Sequence, residues 1–252
     1  MAALNTPQRP EQFARVAGSP GEAPRVAGLL RILWPFILIV FAAGYLTRAA
    51  IPAPAWTATW IGAGYLFLAG LLAWLVTAGR ERLDNFLKGA RGEETVARTL
   101  SFLPATFRVY HGLAMQRPSI RSSSADYDHV VIGPTGIFMI ETKNWSGRIR
   151  VEDGEILYDG ERPDRPPLEQ VKEAAAILRK ELQEQVHRNL DVQPVLCFAS
   201  GQLTDGRAGA AGVIICTGHT LIDALHEKTE SPLPKEALDQ IALYLDARIG
   251  LS

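Results

Sequence analysis

The chain has 252 residues, 47 % hydrophobic and 21 % charged, enough for one sizeable folded domain with a smaller element beside it. Its formal net charge of −1 excludes a bulk polycation, which counts against tight non-specific nucleic-acid binding, where many phosphate contacts are needed. The two cysteines, Cys197 and Cys216, each sit in an apolar strand-like run at no metal-ligand spacing, so buried free thiols in a reducing compartment are expected.

Residues 1–28 are rich in Gly, Pro and Ala with few large apolar side chains, a composition that predicts a disordered tail. Residues 32–47 carry no charge and are bracketed by Arg31 and Arg48, and residues 55–79 are a second charge-free run of 25. Spanning a bilayer takes about 20 apolar residues. The second run clears that length, and the first reaches it only if a flanking arginine snorkels to the interface. With Pro52 and Pro54 between them, residues 29–79 are expected to form a two-helix transmembrane hairpin. Arg9, Arg15, Arg25 and Arg31 precede the pair, Arg80, Arg82, Lys88 and Arg91 follow it, and only Arg48 lies between. The positive-inside rule then predicts a multi-pass protein of the cell membrane with both termini and the soluble domain cytoplasmic. A cleaved signal peptide ending near Ala53-Pro54-Ala55 is the alternative.

Residues 80–87 are expected to continue as a juxtamembrane helix, and residues 88–252 as an α/β domain. That domain opens on a helix whose buried stripe is Val96, Ala97, Leu100 and Leu103; at this spacing Glu93 points with the stripe and Glu94 does not. A strand over 107–113 and a loop over 116–125 lead to two strands, 127–132 and 137–142, rich in Val, Ile, Phe and Tyr and joined by Gly133-Pro134-Thr135-Gly136. A strand pair over 147–152 and 155–158 turns on Asp153-Gly154. An amphipathic helix over 168–186 presents Val171, Ala175, Leu178 and Leu182, with Gln170 in its first turn. Strands over 192–199 and 212–217 and a helix over 234–249 close the chain. This order implies a mostly mixed sheet with helices on both faces.

The central hairpin holds the chemistry. If Ile132 faces Ile137, counting outward places Asp128 opposite Glu141, with Lys143 on the same face two residues on. Val130, Ile132, Ile137 and Met139 share that face; Tyr127, Val131, Phe138 and Ile140 line the other, where His129 reads as a packed or hydrogen-bonded residue. Two facing carboxylates about 5 Å apart repel by about 3 kcal/mol at an effective dielectric of 20. A divalent cation between them relieves that, and oxygen ligands suit Mg²⁺ or Mn²⁺. Solvated charges at a strand exit are the plainer reading of the same triplet. Residues 81–252 hold 20 basic and 25 acidic residues, leaving a local cluster of Arg108, Arg117, Arg121, Arg148 and Arg150 as the basic feature near the hairpin.

Lys88-Gly-x-x-Gly-Glu93, Tyr127-Asp128-His-Val-Val, Gly136-Ile-Phe-x-Ile-Glu141-Thr-Lys143-Asn144 and Pro167-Leu-x-Gln170 occur in this order. Together they resemble the nuclease-related domain, NERD, of the restriction-endonuclease-like D…(D/E)-x-K nucleases, over roughly residues 88–182. Arg165-Pro-Pro stands where an Asn-Pro is common before the Gln. The resemblance implies a restriction-endonuclease-like mixed sheet flanked by helices and a site of Glu93, Asp128, Glu141 and Lys143, with Gln170 accessory. It implies Mg²⁺ (or Mn²⁺) held by Asp128 and Glu141, with Glu93 as an outer ligand, and Lys143 beside the attacking water. The expected activity is hydrolysis of nucleic-acid phosphodiester bonds, DNA ahead of RNA, at the cytoplasmic face of a bilayer crossed by two spans. An idle nucleic-acid-binding or sensing module and a membrane scaffold are the alternatives.

Overall fold

A computed structural model describes residues 13–20, 22–49, 55–115, 126–204, 206–227 and 232–249. The expected loop over 116–125, with Arg117 and Arg121, the prolines at 52 and 54 and most of the expected tail lie outside these residues. The chain divides into two compact units, Glu22–Ala90 on the one hand and Met1–Gly21 with Arg91–Ser252 on the other.

Two long helices supply the first unit: α1 (Glu22–Ala49) and the greater part of α2 (Ala55–Leu100). Tyr65 ties them together, meeting the Thr47 hydroxyl and donating to the Ala43 carbonyl. Large apolar side chains stand exposed on both, among them Phe41, Val40, Trp60 and Leu66. Among the described residues no helix is long and apolar enough to cross a membrane, so the expected transmembrane hairpin is not supported. The charge-free runs are not separate elements. α1 begins at Glu22 and takes in Arg25 and Arg31; α2 continues unbroken past Gly79 through Arg80, Arg82, Lys88 and Arg91. The expected juxtamembrane helix over 80–87 and the helix from residue 88 are therefore one helix with the second apolar run.

The second unit is built on a seven-stranded sheet of β1 (Arg15–Ala17), β2 (Arg108–Ala114), β3 (Asp126–Gly133), β4 (Gly136–Lys143), β7 (Gln193–Phe198), β10 (Val213–Thr217) and β9 (Arg207–Ala210), in that spatial order. β2, β3 and β4 run antiparallel, β4, β7 and β10 parallel. The sheet is mixed, as expected. A small second sheet places β5 (Arg148–Glu152) between β6 (Glu155–Tyr158) and β8 (Gln202–Leu203). Part of the expected disordered tail is β1, whose three residues pair in parallel with β2.

Both faces of the large sheet are covered, which is why its central strands are apolar on both sides. One core joins Val130, Ile132, Ile137, Met139 and Leu196 to Val171, Leu178 and Leu182 of α3 (Pro167–Val186) and to Ile241 and Leu245 of α5 (Lys235–Ile249). The other joins Val131, Phe138, Ile140, Cys197 and Cys216 to Val96 and Leu100 of α2 and to α4 (Leu221–His226). Each fully buried aliphatic side chain contributes about 1.5–3 kcal/mol, so these layers hold β4 fixed from both sides. Tyr127 departs from the expected alternation and joins the α3 side. The β2–β3 ladder steps from His111–His129 to Leu113–Tyr127, past Gly112 at φ +59°, and that break turns the strand. Cys197 and Cys216 are buried neighbours across β7 and β10; their mutual hydrogen bond, then burial, pushes the Cys197 thiol well up, so it is an inert core residue.

Candidate active site

β3 and β4 pair as Ile132–Ile137, Val131–Phe138, Val130–Met139 and His129–Ile140. The ladder ends there, and Asp128, one residue further out, meets the end of β4 through its side chain: the Thr142 backbone N–H donates to its Oδ2 at 2.8 Å. Glu141 pairs in register with Leu196 of β7 and Lys143 with Phe198, so this strand end is held by two neighbours. Lys143 Nζ donates to Glu141 Oε1 at 2.7 Å, with side chains 19 % and 9 % exposed. The third carboxylate comes from α2. Gly92 packs so closely on the strand exit that a Cβ there would lie 2.7 Å from Asn144 Cβ; any other residue would hold the helix off. Of the two glutamates that follow Gly92, it is Glu93 whose charge reaches Asp128 and Lys143.

Electrostatics record the crowding. Burial first, then the charges of Glu141 and Glu93, push the Asp128 carboxyl well above its usual value, against the Thr142 hydrogen bond and Lys143. For Lys143, burial pulls the ammonium down, but Glu141, with its hydrogen bond, and then Asp128 and Glu93 outweigh it and leave the pKa raised. Lys143 is therefore a held cation at neutral pH.

Gln170 lies in the first turn of α3, half-buried, its backbone N–H directed at the Pro166 carbonyl at 3.4 Å; among the described residues its side chain makes no hydrogen bond to the carboxylates. His129 behaves as a packed residue. Its Nδ1 lies 2.7 Å from His111 Nδ1, one ring donating and the other accepting. Burial lowers His111 to about 4, and burial and His111 push His129 well below its usual value. His129 Nε2 and Thr142 Oγ1 are buried without a hydrogen-bond partner. His111 is the residue that sequence reasoning did not single out, and Gly92 entered only as part of the Lys88-Gly-x-x-Gly-Glu93 motif, with no role given to it. The Gly-Glu pair on an otherwise regular helix was the signal available for Gly92; His111 has none, since only the β2–β3 register brings it to His129.

The donor set suits one kind of cation. Among the described residues no three His, Cys, Asp or Glu side chains are gathered into a metal cage. Two adjacent carboxylates fit Mg²⁺, which keeps several waters and takes one or two carboxylates plus substrate phosphates. A 460 Å³ cavity beside Gly136, Ile137, Arg188 and Asp191 opens at the turn end of β4, about 13 Å along the strand from Glu141.

No solved structure matches the chain. Over 63 residues it is 40 % identical to an uncharacterized protein of Bacillus anthracis, a stretch that covers 25 % of this chain and 29 % of that protein, so the match spans less than a third of the relative's length. Residues 88–199, which hold Glu93, Asp128, Glu141, Lys143 and Gln170 together, match the family model of the nuclease-related domain, NERD.

Proposed function

We propose that this chain is a Mg²⁺-dependent nuclease that hydrolyses phosphodiester bonds of nucleic acid, DNA ahead of RNA. The observation that carries the reading is the meeting of Asp128, Glu141 and Lys143 at one strand end, with the charge of Glu93 acting on the same group. The match to the nuclease-related domain over the same residues supports it.

Asp128 and Glu141 are the proposed ligands of Mg²⁺ or Mn²⁺, with Glu93 outside them. The bound ion would polarise the scissile phosphate and lower the pKa of a coordinated water. Lys143 stays protonated beside Glu141, orients the attacking water by hydrogen bonding and stabilises the negative charge that develops on the phosphate. Gln170, in the accessory position, would orient a phosphate or a water.

One observation favours a second reading, a nucleic-acid-binding module that does not cut: Lys143 already neutralises Glu141 directly. Location at the cytoplasmic face of the cell membrane is also proposed, carried not by a spanning helix but by exposed apolar residues such as Phe41, Trp60 and Trp74, and flotation with lipid vesicles tests it. The function itself is tested by incubating the full chain with plasmid DNA and with RNA, in Mg²⁺, Mn²⁺ or chelator. Nicking that needs the metal and disappears in Glu141→Gln is expected. Binding without cleavage in either metal selects the second reading.

A further inference from the structure

Beyond Lys143 the chain leaves the large sheet and enters the small one, and the exit is built rather than loose. Trp145 packs half-buried against Tyr158 and Phe198, ring centroids 4.9 and 5.4 Å away. The Asp159 carboxylate accepts the Arg148 N–H at 2.7 Å, and a Cβ on Gly147 would overlap that carboxylate. The start of β5 is thereby pinned, while the Gln202 N–H donates to the Gly147 carbonyl at 3.0 Å and holds β8 alongside.

Alternation along β5 sorts its side chains. Ile149 and Val151 turn toward the α3-side core, and Arg148, Arg150 and Glu152 stand exposed on the opposite face. That face has a charge gradient. At its far end Glu152 pairs with Arg150 at 3.6 Å, and Glu155 with Arg162 at 2.7 Å. At the near end Arg148 lies opposite Gln202 and makes no ion pair among the described residues. Arg150 lies opposite Leu157, and its exposed pair with Glu152 is worth at most about 1 kcal/mol. The basic end is thus the end nearest the carboxylates. Arg148 is five residue steps from Lys143, so the two lie within about 18 Å, or roughly five steps along one DNA strand at 3.4 Å each.

We propose that Arg148 and Arg150, on the outer face of the three-stranded sheet, are a phosphate-binding arm that holds the backbone of duplex DNA running past the carboxylate site. The inference rests on the nuclease reading and names the surface that aligns its substrate. On this reading an acidic domain would hold nucleic acid through two guanidiniums on a pinned strand near the site rather than through bulk charge, and the acidic hairpin tip would limit contact to the near end.

The test measures equilibrium binding of a short labelled DNA duplex to the full chain in chelator, where nothing is cut, between 50 and 200 mM salt. It compares wild type, the double variant Arg148→Ala/Arg150→Ala, and Arg162→Ala as a charge-matched control at the tip. Two lost phosphate contacts make the log–log salt slope shallower by about 1.8, so over this range wild type should lose about twelvefold more affinity than the double variant. Arg162→Ala should keep the wild-type slope. Circular dichroism melts confirm that the variants fold. A wild-type slope in the double variant, or an equal change in Arg162→Ala, overturns the arm and leaves the nuclease reading standing if wild type still nicks plasmid with Mg²⁺. A wild type that neither binds nor cuts DNA overturns both.

Discussion

Asp128→Asn keeps the shape of the side chain and an oxygen to accept the Thr142 N–H, and removes one negative charge from a site that holds three carboxylates and one ammonium. For two carboxylates about 5 Å apart, the ordinary cross-strand spacing, the repulsion removed is about 3 kcal/mol at an effective dielectric of 20. Against it stand the weaker hydrogen bond of a neutral acceptor, about 1 kcal/mol, and the lost attraction of Lys143, which ranks below Glu141 and Glu93 in its effect on Asp128. The balance leaves the variant about 1 kcal/mol more stable wherever the wild-type carboxylate is ionised, or roughly 3 °C in melting temperature for a domain of this size. Because burial and like charge raise the folded pKa, the native state binds this proton more tightly than the unfolded chain. The gain should shrink as pH falls through that raised value and the wild type protonates. Mg²⁺ should raise the wild-type melt and leave the variant nearly unmoved, while plasmid nicking disappears. Thermal melts at pH 8 and pH 5, with and without Mg²⁺, beside a nicking assay, check all of this. A variant that melts lower than wild type at pH 8 and still nicks would refute the reasoning, because Asp128 would then be a structural partner.

Lys143→Ala should abolish nicking yet retain the Mg²⁺-induced rise in melting temperature, since an ammonium is not a ligand; loss of both would assign Lys143 a structural role. The His111–His129 pair is held neutral by burial, with His111 lowered from 6.5 to about 4, so its stability contribution is complete above pH 6.5 and is lost as pH falls toward 4. Unfolding free energies from urea titrations should fall over that window by up to about 1.4 kcal/mol per pH unit per histidine, and His111→Phe should flatten the slope. Gly92→Ala places a Cβ 2.7 Å from Asn144 Cβ and should cost about 1–3 kcal/mol while lowering nicking by more than the stability loss explains. Unchanged nicking at wild-type stability would show that α2 can shift without moving Glu93.

The site was legible where the physics is local. A strand period of two and a Gly-Pro-Thr-Gly turn fix one register, and the ladder from Ile132–Ile137 to His129–Ile140 is the one expected. The α3 stripe follows from a period of 3.6, and Val171, Ala175, Leu178 and Leu182 are all buried. Legibility failed where neighbours decide. Tyr127 changes sides because β2 breaks at Gly112, which nothing within β3 reveals. The strands β1, β8 and β9 have two to four residues each, too short to carry a period, and exist through the strands beside them. Apolar runs 32–47 and 55–79 read as complete spans because hydropathy stops at the first charge, whereas α2 does not: its backbone hydrogen bonds continue through Arg80 and Arg82 to Leu100.

Two acids of the same domain, the buried Glu181 and the half-buried Asp128, separate structure from chemistry. Glu181, on α3, accepts from Tyr127 at 3.2 Å and Tyr244 at 3.0 Å and pairs with Arg248, which also donates to the Ala114 carbonyl. Its charge is met by three donors from β3 and α5, and removing one partner of such a buried pair would cost about 3–5 kcal/mol. That is the environment of a structural acid. Asp128 has a single backbone donor and faces two further carboxylates. A position where the fold accepts repulsion that substitution would relieve is where a functional demand is expected. Under the proposed nuclease reading, that demand is a divalent cation beside Lys143.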